Sequence, residues 1–269
     1  MKVILSHDVD HITFAEHVAK DLYIPKWLAK NAYYGLAGKI SPALARRRMT
    51  AVVTSRLHHV TELMETDRRF GIPSTFFVGM ANGLSMSYGL AAAAKMVRLI
   101  QDGGFAVGVH GVAYTDEVAI RAEFDRFRAV SRRDAVFGIR NHYLRMRAET
   151  PALQARAGYA FDSSEYGLRD PYVVGQMVEF PVCLMDTYLL SICRNDTEDV
   201  KRRTLAVLEQ GLKLGLSYFT IIFHDCYYSG LFPEHQAWYD WLVRYLRDNY
   251  EITDFASAVV ALKAGHCGA

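Results

Sequence analysis

The sequence predicts an α/β fold, namely a single distorted β/α barrel of seven to eight parallel strands with a helical insertion after the first strand. The main observation is that apolar runs of strand length alternate with amphipathic stretches of helix length. The length of 269 residues also suits a β/α barrel, which typically needs roughly 250. No internal repeat or low-complexity linker interrupts this pattern, so residues 1–269 are interpreted as one domain.

The strands are predicted from short apolar runs that are bounded by polar or turn-forming residues. Such runs lie at Lys2–His7, Ser74–Gly79, Ala106–Val109, Ala135–Ile139, Tyr159–Asp162, Val178–Leu184 and Tyr218–Phe223. A shorter candidate follows near the C-terminus, at Tyr250–Thr253.

Amphipathic stretches between these strands predict the helices. They lie at Ser55–Phe70, Leu90–Asp102, Asp116–Ser131, Thr150–Ala157, Glu198–Gly215 and Pro233–Asn249. The first is closed by Ile72–Pro73, because proline cannot continue a helix, and Gly103–Gly104 ends the second. Helices placed between consecutive strands indicate a parallel sheet.

The composition is that of a soluble globular protein. An apolar fraction of 51% and a mean hydropathy of +0.01 predict a sizeable buried core. The net charge of +2 gives no indication of a nucleic-acid partner. The N-terminal MKVILSHDVD is too short in apolar residues for a signal peptide, and no stretch approaches the roughly 20 residues of a membrane span. We therefore expect a cytoplasmic location.

The cysteines support the same expectation. They are scattered, without a Cys-x-x-Cys spacing, at Cys183, Cys193, Cys226 and Cys267. This pattern is typical of reduced thiols rather than of a disulfide framework or a zinc knuckle.

Polar, reactive side chains follow nearly every predicted strand. The runs are VILSHDVDH, FAVGVHG, FGIRNHYLR, YAFDSSE, EFPVCLMDT and TIIFHD. Loops usually favour Gly, Asn, Ser and Lys, whereas here His, Asp and Arg recur. Because the carboxyl ends of parallel strands converge on one face of a barrel, these residues predict one active site there.

The insertion, at about residues 12–54, is strongly basic. The segment from His11 to Val60 carries eight Lys/Arg and two acids, a charge of +6, with Trp27, Tyr33 and Tyr34 among the bases. Two interpretations stay open. The segment is a solvated helical excursion that shields the barrel mouth, or residues 20–56 form a surface that docks an anionic substrate or lipid headgroups in peripheral membrane contact.

Asp8 and Asp10 are the strongest candidates for chemistry. Side chains two apart on a strand point the same way, so both carboxylates share one face of an otherwise apolar strand. Two such carboxylates cannot both be buried and ionised cheaply unless a cation or a proton lies between them. The pair therefore predicts a hydrolytic site that holds a metal ion, or one in which one Asp acts as a base and the other as a ligand.

Two histidines and an arginine reach the same rim. His110 lies between Gly108 and Gly111, which leaves room for a ligand, and His224 ends an apolar strand. An imidazole titrates near neutrality and so suits the protonation of a leaving amine. Arg140 and Asp162 lie on neighbouring strand ends and are expected to pair, either to hold a carboxylate in place or as a structural salt bridge.

The order of these motifs resembles a known superfamily. Asp-x-Asp, Ser-Thr-Phe-Phe-Val, Gly-x-His-Gly, Arg-x-His, Phe-Asp-Ser-Ser and Phe-His-Asp follow one another along almost the whole chain. This series resembles the polysaccharide deacetylase (NodB-homology, carbohydrate esterase) superfamily. Within it, the chain is similar to the divergent WbmS-like branch, which is found with bacterial O-antigen and surface-glycan genes.

The resemblance implies a NodB-like barrel that hydrolyses N- or O-acyl groups on sugars with a divalent metal, usually zinc. By motif, Asp8 matches the general base and His224 the general acid. Arg140 and Asp162 match the pair that orients the catalytic Asp or His.

Asp10 and His110 match two of the metal ligands, but this sequence departs from the family at the third. The family usually has a second ligand histidine four residues after the first, and that position is Tyr114 here. Catalytic zinc normally has three protein ligands. Tyr114, Asp116 or His142 is expected to complete the set.

The expected function is metal-assisted removal of an N-acetyl or N-formyl group from an amino sugar, nucleotide- or lipid-linked, in surface-polysaccharide (O-antigen) biosynthesis. Two alternatives stay open. One is a metal-independent amide or cyclic-imide hydrolase of the same fold, and the other is a catalytically silent glycan-binding protein.

Overall fold

The computed structural model describes residues 1–18, 20–53, 56–132, 136–193 and 196–266. Three residues named above, Ser55, Ala135 and Cys267, lie outside these ranges.

One curled sheet organises the described chain. Its strands are β1 Lys2–Val9, β2 Thr75–Gly79, β3 Ala106–Gly111, β4 Gly138–Asn141, β5 Phe161–Asp162, β6 Tyr172–Val174, β7 Met177–Glu179, β8 Val182–Met185, β9 Tyr218–His224 and β10 Glu251–Thr253. The order is β6-β7-β5-β4-β3-β2-β1-β9-β8, and β10 pairs with the first residues of β1. All of these pairs are parallel except the β6–β7 hairpin. The sheet forms a half-barrel, which confirms the predicted distorted barrel.

One predicted strand is two strands in the structure. The run Val178–Leu184 is divided at Pro181 into β7 and β8. Proline has no N–H to donate to a strand ladder, so the pairing changes partner there. The first half pairs with β5 and the second half pairs with β9. This segment therefore contributes strands near both ends of the strand order.

Helices cover the outside of the sheet. Their bounds are α1 Tyr23–Leu36, α2 Pro42–Thr50, α3 Val60–Phe70, α4 Leu90–Asp102, α5 Glu117–Val130, α6 Thr150–Ala157, α7 Asp186–Ile192, α8 Thr197–Lys213, α9 Pro233–Asn249 and α10 Phe255–His266. Short 3-10 turns lie at Ala15–His17, Ala51–Val53, His142–Leu144 and Asp225–Tyr227. Of the predicted helices, the first begins later than predicted, at Val60, and the N–H of the preceding His59 donates to Asp225 Oδ2 at 3.0 Å. Helices α7 and α10 were not predicted.

Strand β1 shows how the alternation of side chains positions the site. Its odd residues Val3 and Leu5 pack in the main core, against the surrounding helices. Its even residue Ile4 packs instead with Phe77, Phe161 and Phe255 in a second cluster, to which α10 contributes. Asp8 lies on the same side as Ile4, further along the strand, because side chains alternate with a period of two. The interior of the curl is thus apolar near the start of β1 and acidic near its end.

The predicted helical insertion consists of α1 and α2. These two helices pack on each other, and Trp27 Nε1 donates to the carbonyl oxygen of Arg48 at 2.7 Å. Phe14, Ala51 and Leu57 form a small separate core beneath them. Among the described residues, no helix is both long and apolar enough to cross a membrane.

Candidate active site

The carboxyl ends of β1, β3, β4 and β9 bring the predicted residues together. Asp8 is directly opposite His224 across the β1–β9 pair, and His110 is opposite Arg140 across the β3–β4 pair. The predicted convergence on one edge of the sheet therefore follows from the strand register. Asp10 lies one residue beyond the end of β1.

Three donor atoms converge at this edge. His110 Nε2 lies 3.0 Å from Asp10 Oδ1, His142 Nδ1 lies 3.2 Å from the same oxygen, and the two ring nitrogens are 3.0 Å apart. Ligand atoms of a tetrahedral zinc ion lie about 3.3–3.4 Å apart, since Zn–N and Zn–O bonds are about 2.0–2.1 Å long. The three residues therefore fit a zinc-sized divalent cation.

The outer ring nitrogens show which atoms are free to bind a cation. His110 Nδ1 lies 3.0 Å from the carbonyl oxygen of Arg140, and His142 Nε2 lies 2.9 Å from that of Leu84. A carbonyl only accepts, so each outer nitrogen carries its proton and each inner nitrogen presents a lone pair when the ring is neutral. Two lone pairs and a carboxylate that face one another in a buried site need a cation or a proton between them.

Strained backbone surrounds His142. Tyr143 and Leu144, which follow it, have φ values of 58° and 50°, and Leu84 and Ser85 have φ values of 54° and 73°. Residues with side chains adopt this left-handed region at a cost, and such residues cluster at functional sites. Here the two strained pairs meet at the hydrogen bond from His142 to the Leu84 carbonyl.

Arg140 holds Asp8. Its Nη1 donates to Asp8 Oδ1 at 2.8 Å, while Nε and Nη2 donate to the carbonyl and hydroxyl oxygens of Ser163, both at 2.9 Å. The guanidinium also lies 4.2 Å from the centre of the Phe77 ring, which Gly108 admits because a Cβ there would lie 2.7 Å from that ring. Burial alone would raise the pKa of Asp8, but the charges of Arg140 and the nearby histidines lower it below its usual value.

Asp186 holds His224 and was missed in the sequence. Asp186 Oδ1 lies 2.7 Å from His224 Nδ1, and Asp186 Oδ2 accepts from the His224 backbone N–H at 2.9 Å. Burial would lower the pKa of His224, but Asp186 and the carboxylates of Asp8 and Asp10 raise it to about 10. The imidazole is therefore protonated at neutral pH. The signal was present, since Asp186 lies near the end of the run EFPVCLMDT, but nothing in the sequence linked it to a residue 38 positions away.

Asp162 does not pair with Arg140, contrary to the expectation. The donors of Arg140 are occupied by Asp8 and Ser163, and Asp162 lies opposite Glu179 in the β5–β7 register. Burial raises the pKa of both facing carboxyls, and that of Glu179 lies well above its usual value. Asp162 Oδ1 accepts from the backbone N–H of Ser163, the residue that holds Arg140. Asp162 therefore contacts the site through Ser163, and the charge of Arg140 also acts on its carboxyl.

Tyr114 and Asp116 lie outside the three-donor group. The Tyr114 hydroxyl accepts from Arg145 Nη2 at 2.6 Å, and the Asp116 carboxylate caps helix α5 by accepting from the backbone N–H groups of Val118 and Ala119. Of the three residues proposed to complete the ligand set, only His142 lies beside Asp10 and His110.

A second group of potential donors lies just after β1, in the insertion. It contains His11, Glu16 and His17. His17 Nδ1 lies 2.8 Å from Asp21 Oδ2, and its Nε2 lies 3.3 Å from Glu16 Oε1. Glu16 also accepts from the Ile12 backbone N–H at 3.0 Å. These contacts fasten the start of the insertion to the end of β1.

A cavity of about 510 Å³ opens beside Asp10. Its walls come from the insertion on one side and from residues that follow β9 on the other. The side chains that line it are aromatic or basic to an unusual degree: Tyr23, Lys26, Trp27, Lys30, Tyr34, Arg48, Arg56, Tyr227 and Phe232. This volume is within the range of small-molecule sites.

This curled parallel sheet is the fold of the polysaccharide deacetylases. A protein assigned as a polysaccharide deacetylase from Mycobacterium smegmatis matches it with a TM-score of 0.65 at 17% identity, over 98% of this chain and 91% of the other. A second one, from Pseudomonas aeruginosa PAO1, matches with a TM-score of 0.57 at 14% identity, over 96% and 88%. PuuE allantoinase matches with a TM-score of 0.60 at 13% identity, over 98% and 90%.

No protein-family model and no curated protein matches the sequence. The resemblance to the polysaccharide deacetylases is therefore confirmed at the level of the fold. The WbmS-like branch stays a prediction, and so do the roles assigned to single residues.

Proposed function

We propose that this chain is a metal-assisted hydrolase that removes an N-acyl group, acetyl or formyl, from an amino sugar. The observation that carries the proposal is the convergence of Asp10, His110 and His142 within 3.2 Å of one another, beside Asp8 and His224. Asp8 Oδ2 lies 3.9 Å from His110 Nε2, and Asp10 Oδ2 lies 3.9 Å from His224 Nε2. A ligand set, an ionised carboxylate and a protonated imidazole are thus adjacent.

Asp10, His110 and His142 would hold the cation, for which zinc is the best candidate. When bound, a divalent cation supplies a Lewis acid that polarises the acyl carbonyl and makes water more acidic. The two imidazoles are oriented for this role by their backbone carbonyl partners, which also set their tautomers.

Asp8 is the proposed general base. Its lowered pKa keeps it ionised at neutral pH, so Oδ2 can accept a proton from the attacking water. Arg140 holds Oδ1 in a buried, hydrogen-bonded position and leaves Oδ2 directed toward His110. The guanidinium therefore orients the base, and it does not act as an acid itself because arginine stays protonated.

His224 is the proposed general acid. Its Nδ1 is bound to Asp186, so the proton that can reach the substrate is on Nε2, which faces Asp10. Amide hydrolysis needs a proton on the departing amine, because the free amide anion is a poor leaving group. The raised pKa keeps this proton on His224 until the amine needs it.

The proposed substrate is an acylated amino sugar that is nucleotide- or lipid-linked, in surface-polysaccharide (O-antigen) assembly in the cytoplasm. The motif order and the deacetylase fold support the sugar. The unpaired thiols of Cys183, Cys193 and Cys226 support a reducing compartment.

The test is release of acetate or formate from N-acylated nucleotide sugars and lipid-linked sugars by the purified protein. Asp8→Asn should lower the rate on the order of 10³-fold or more, since it removes the base without changing the side-chain volume. Asp116→Asn is the matched control, because Asn caps a helix as well as Asp does.

Release that survives Asp8→Asn would refute the role of Asp8. Release that is unaffected by a chelator would favour the metal-independent hydrolase. Tight sugar binding with no turnover by the wild-type chain would favour the silent glycan-binding protein.

A further inference from the structure

One face of helix α1 lines the cavity, and its Tyr23 and Trp27 also pack against the small core of Phe14, Ala51 and Leu57. Its residues follow helical spacing of three and four: Tyr23, Lys26, Trp27, Lys30, Asn31 and Tyr34. Such a face normally packs against a partner element. Here it presents two lysines between aromatic rings, in a cavity whose lining also includes Asp10.

The two lysines have no carboxylate partner within ion-pair distance in the part of the chain that the structure describes. Lys26 and Lys30 are four residues apart, so their charges lie on neighbouring turns, about 6 Å apart along the axis. Like charges at this spacing repel. The Lys30 ammonium lies over the Tyr34 ring, 5.6 Å from its centre.

Arg48 adds a third cation from α2. Its side chain is almost fully buried, and its Nε donates to the Leu231 carbonyl at 2.7 Å. The guanidinium stacks on Phe232, with its carbon 4.6 Å from the ring centre. No hydrogen bond or carboxylate within ion-pair distance engages its two terminal nitrogens among the described residues, so this charge is fixed in place and available to a ligand. Burying an unpaired cation is costly, and a bound anion offsets that cost.

The other charged groups of the cavity do not neutralise these three. Arg56 is paired with Glu62 at 2.6 Å. Asp21 is engaged by His17 and Ser87, both at 2.8 Å, and Asp10 belongs to the three-donor group. Lys26, Lys30 and Arg48 therefore form a distinct positive region of the cavity wall.

The same geometry argues against a membrane as the partner. In the run Arg46–Arg48, only Arg48 lines the cavity, while Arg46 and Arg47 are exposed elsewhere. A headgroup surface would contact Arg46 and Arg47 as well, whereas Lys26 and Lys30, although exposed, line the same cavity as the buried Arg48, between aromatic walls.

We infer that Lys26, Lys30 and Arg48 form a subsite for the phosphate or diphosphate group of a sugar phosphate ester, with the acylated sugar extending toward Asp10. Lysine and arginine ammonium and guanidinium groups are the usual donors to phosphate oxygens. Trp27 and Tyr227 provide ring faces of the kind that pack against a sugar or a base. This inference rests on the proposed function and narrows its substrate to a phosphate-bearing sugar.

The test measures equilibrium binding of inorganic pyrophosphate, uridine diphosphate and farnesyl diphosphate by calorimetry. It uses the Asp8→Asn protein, so that binding is independent of turnover. Lys26→Ala/Lys30→Ala should weaken binding of the diphosphates on the order of 10- to 100-fold. Both lysines are exposed, so this variant is expected to fold. Arg46→Ala/Arg47→Ala is the matched control, which removes equal charge outside the cavity and should leave affinity unchanged.

The outcomes separate the alternatives. Preference for uridine diphosphate identifies a nucleotide-linked sugar, preference for farnesyl diphosphate a lipid-linked one, and both support the subsite. Equal affinity in the lysine variant overturns it, as does absence of diphosphate binding to the wild-type cavity. Anionic vesicle binding that is lost only in the Arg46/Arg47 variant, with no diphosphate binding, would assign the charge to a membrane. Loss of deacylation in a wild-type protein that still binds diphosphates would refute the proposed chemistry alone.

Discussion

Asp186 contacts His224 twice, through the ring nitrogen Nδ1 at 2.7 Å and through the backbone N–H at 2.9 Å. The carboxylate is fully buried at the end of β8, which pairs directly with β9. This arrangement sets both the tautomer and the charge of His224. A proton on Nδ1 is held by Asp186, and only the proton on Nε2 remains for chemistry.

Asp186→Asn should therefore alter the pH dependence of the reaction as well as its rate. Removal of the buried negative charge lowers the pKa of His224 from about 10, so the imidazole loses its proton at a lower pH. We expect kcat at neutral pH to fall on the order of 10- to 100-fold and the alkaline limb of the kcat profile to move to lower pH. Asp240→Asn, at a surface-side partner of Tyr228, is the control. An unshifted limb would show that Asp186 has only a structural role.

Arg140→Lys should cost both stability and activity, although the charge is retained. A lysine cannot donate simultaneously to Asp8, the Ser163 carbonyl and the Ser163 hydroxyl. We expect the free energy of unfolding to fall by about 2–4 kcal/mol, because a buried ion pair is left incomplete. Urea denaturation measures this change. Arg145→Lys, at an exposed arginine, should change the free energy of unfolding by less than about 0.5 kcal/mol. Equal effects would mean that the hydrogen bonds of Arg140 are not what stabilises the site.

Metal affinity should depend on His142 and not on Tyr114. His142→Gln removes one of three converging donors, and we expect the zinc affinity to fall roughly a hundredfold or more. Tyr114→Phe removes the hydroxyl that contacts Arg145 and should leave the affinity unchanged. Competition with a chromophoric chelator compares the two variants with the wild type. A loss of affinity in Tyr114→Phe alone would reverse the assignment.

His235 should make the protein less stable in mild acid. Burial lowers its pKa from 6.5 to about 4, and its Nδ1 has no hydrogen-bond partner among the described residues. The unfolded chain therefore binds a proton at a higher pH than the folded chain. The contribution to stability is complete above pH 6.5 and is lost as the pH falls toward 4. The loss for one such residue is on the order of 1–3 kcal/mol.

His235→Gln and His235→Phe should both reduce this dependence, since neither side chain titrates. The measurement is urea denaturation at pH 7 and at pH 5. The phenylalanine variant retains a ring against Tyr227, whose centroid lies 4.6 Å from that of His235, so it separates titration from packing. If the free energy of unfolding falls between pH 7 and pH 5 by as much in both variants as in the wild type, the acid sensitivity belongs to other groups.

The local patterns of the sequence were sufficient to predict much of the fold. The alternation of apolar and polar stretches predicted the parallel sheet and the helices that end before Ile72 and Gly103, because these patterns depend on neighbours within a few residues. The period of two along β1 predicted that Asp8 and Asp10 share a face with each other. This prediction did not require the neighbouring strands to be known, since side-chain alternation is a property of the single strand.

Contacts between distant strands were decided only by the tertiary structure. His142 contacts Asp10, which lies 132 positions earlier in the sequence, and Asp186 contacts His224, 38 positions later. Arg140 donates to Asp8 and not to Asp162. Each of these contacts depends on the strand register and on which hydrogen-bond donors are already occupied. Local sequence spacing determines neither the register nor the occupied donors. The sequence by itself determined which chemical groups reach the edge of the sheet. The tertiary structure decided their partners, because hydrogen bonds and ion pairs form only between groups that the fold brings within about 3 Å.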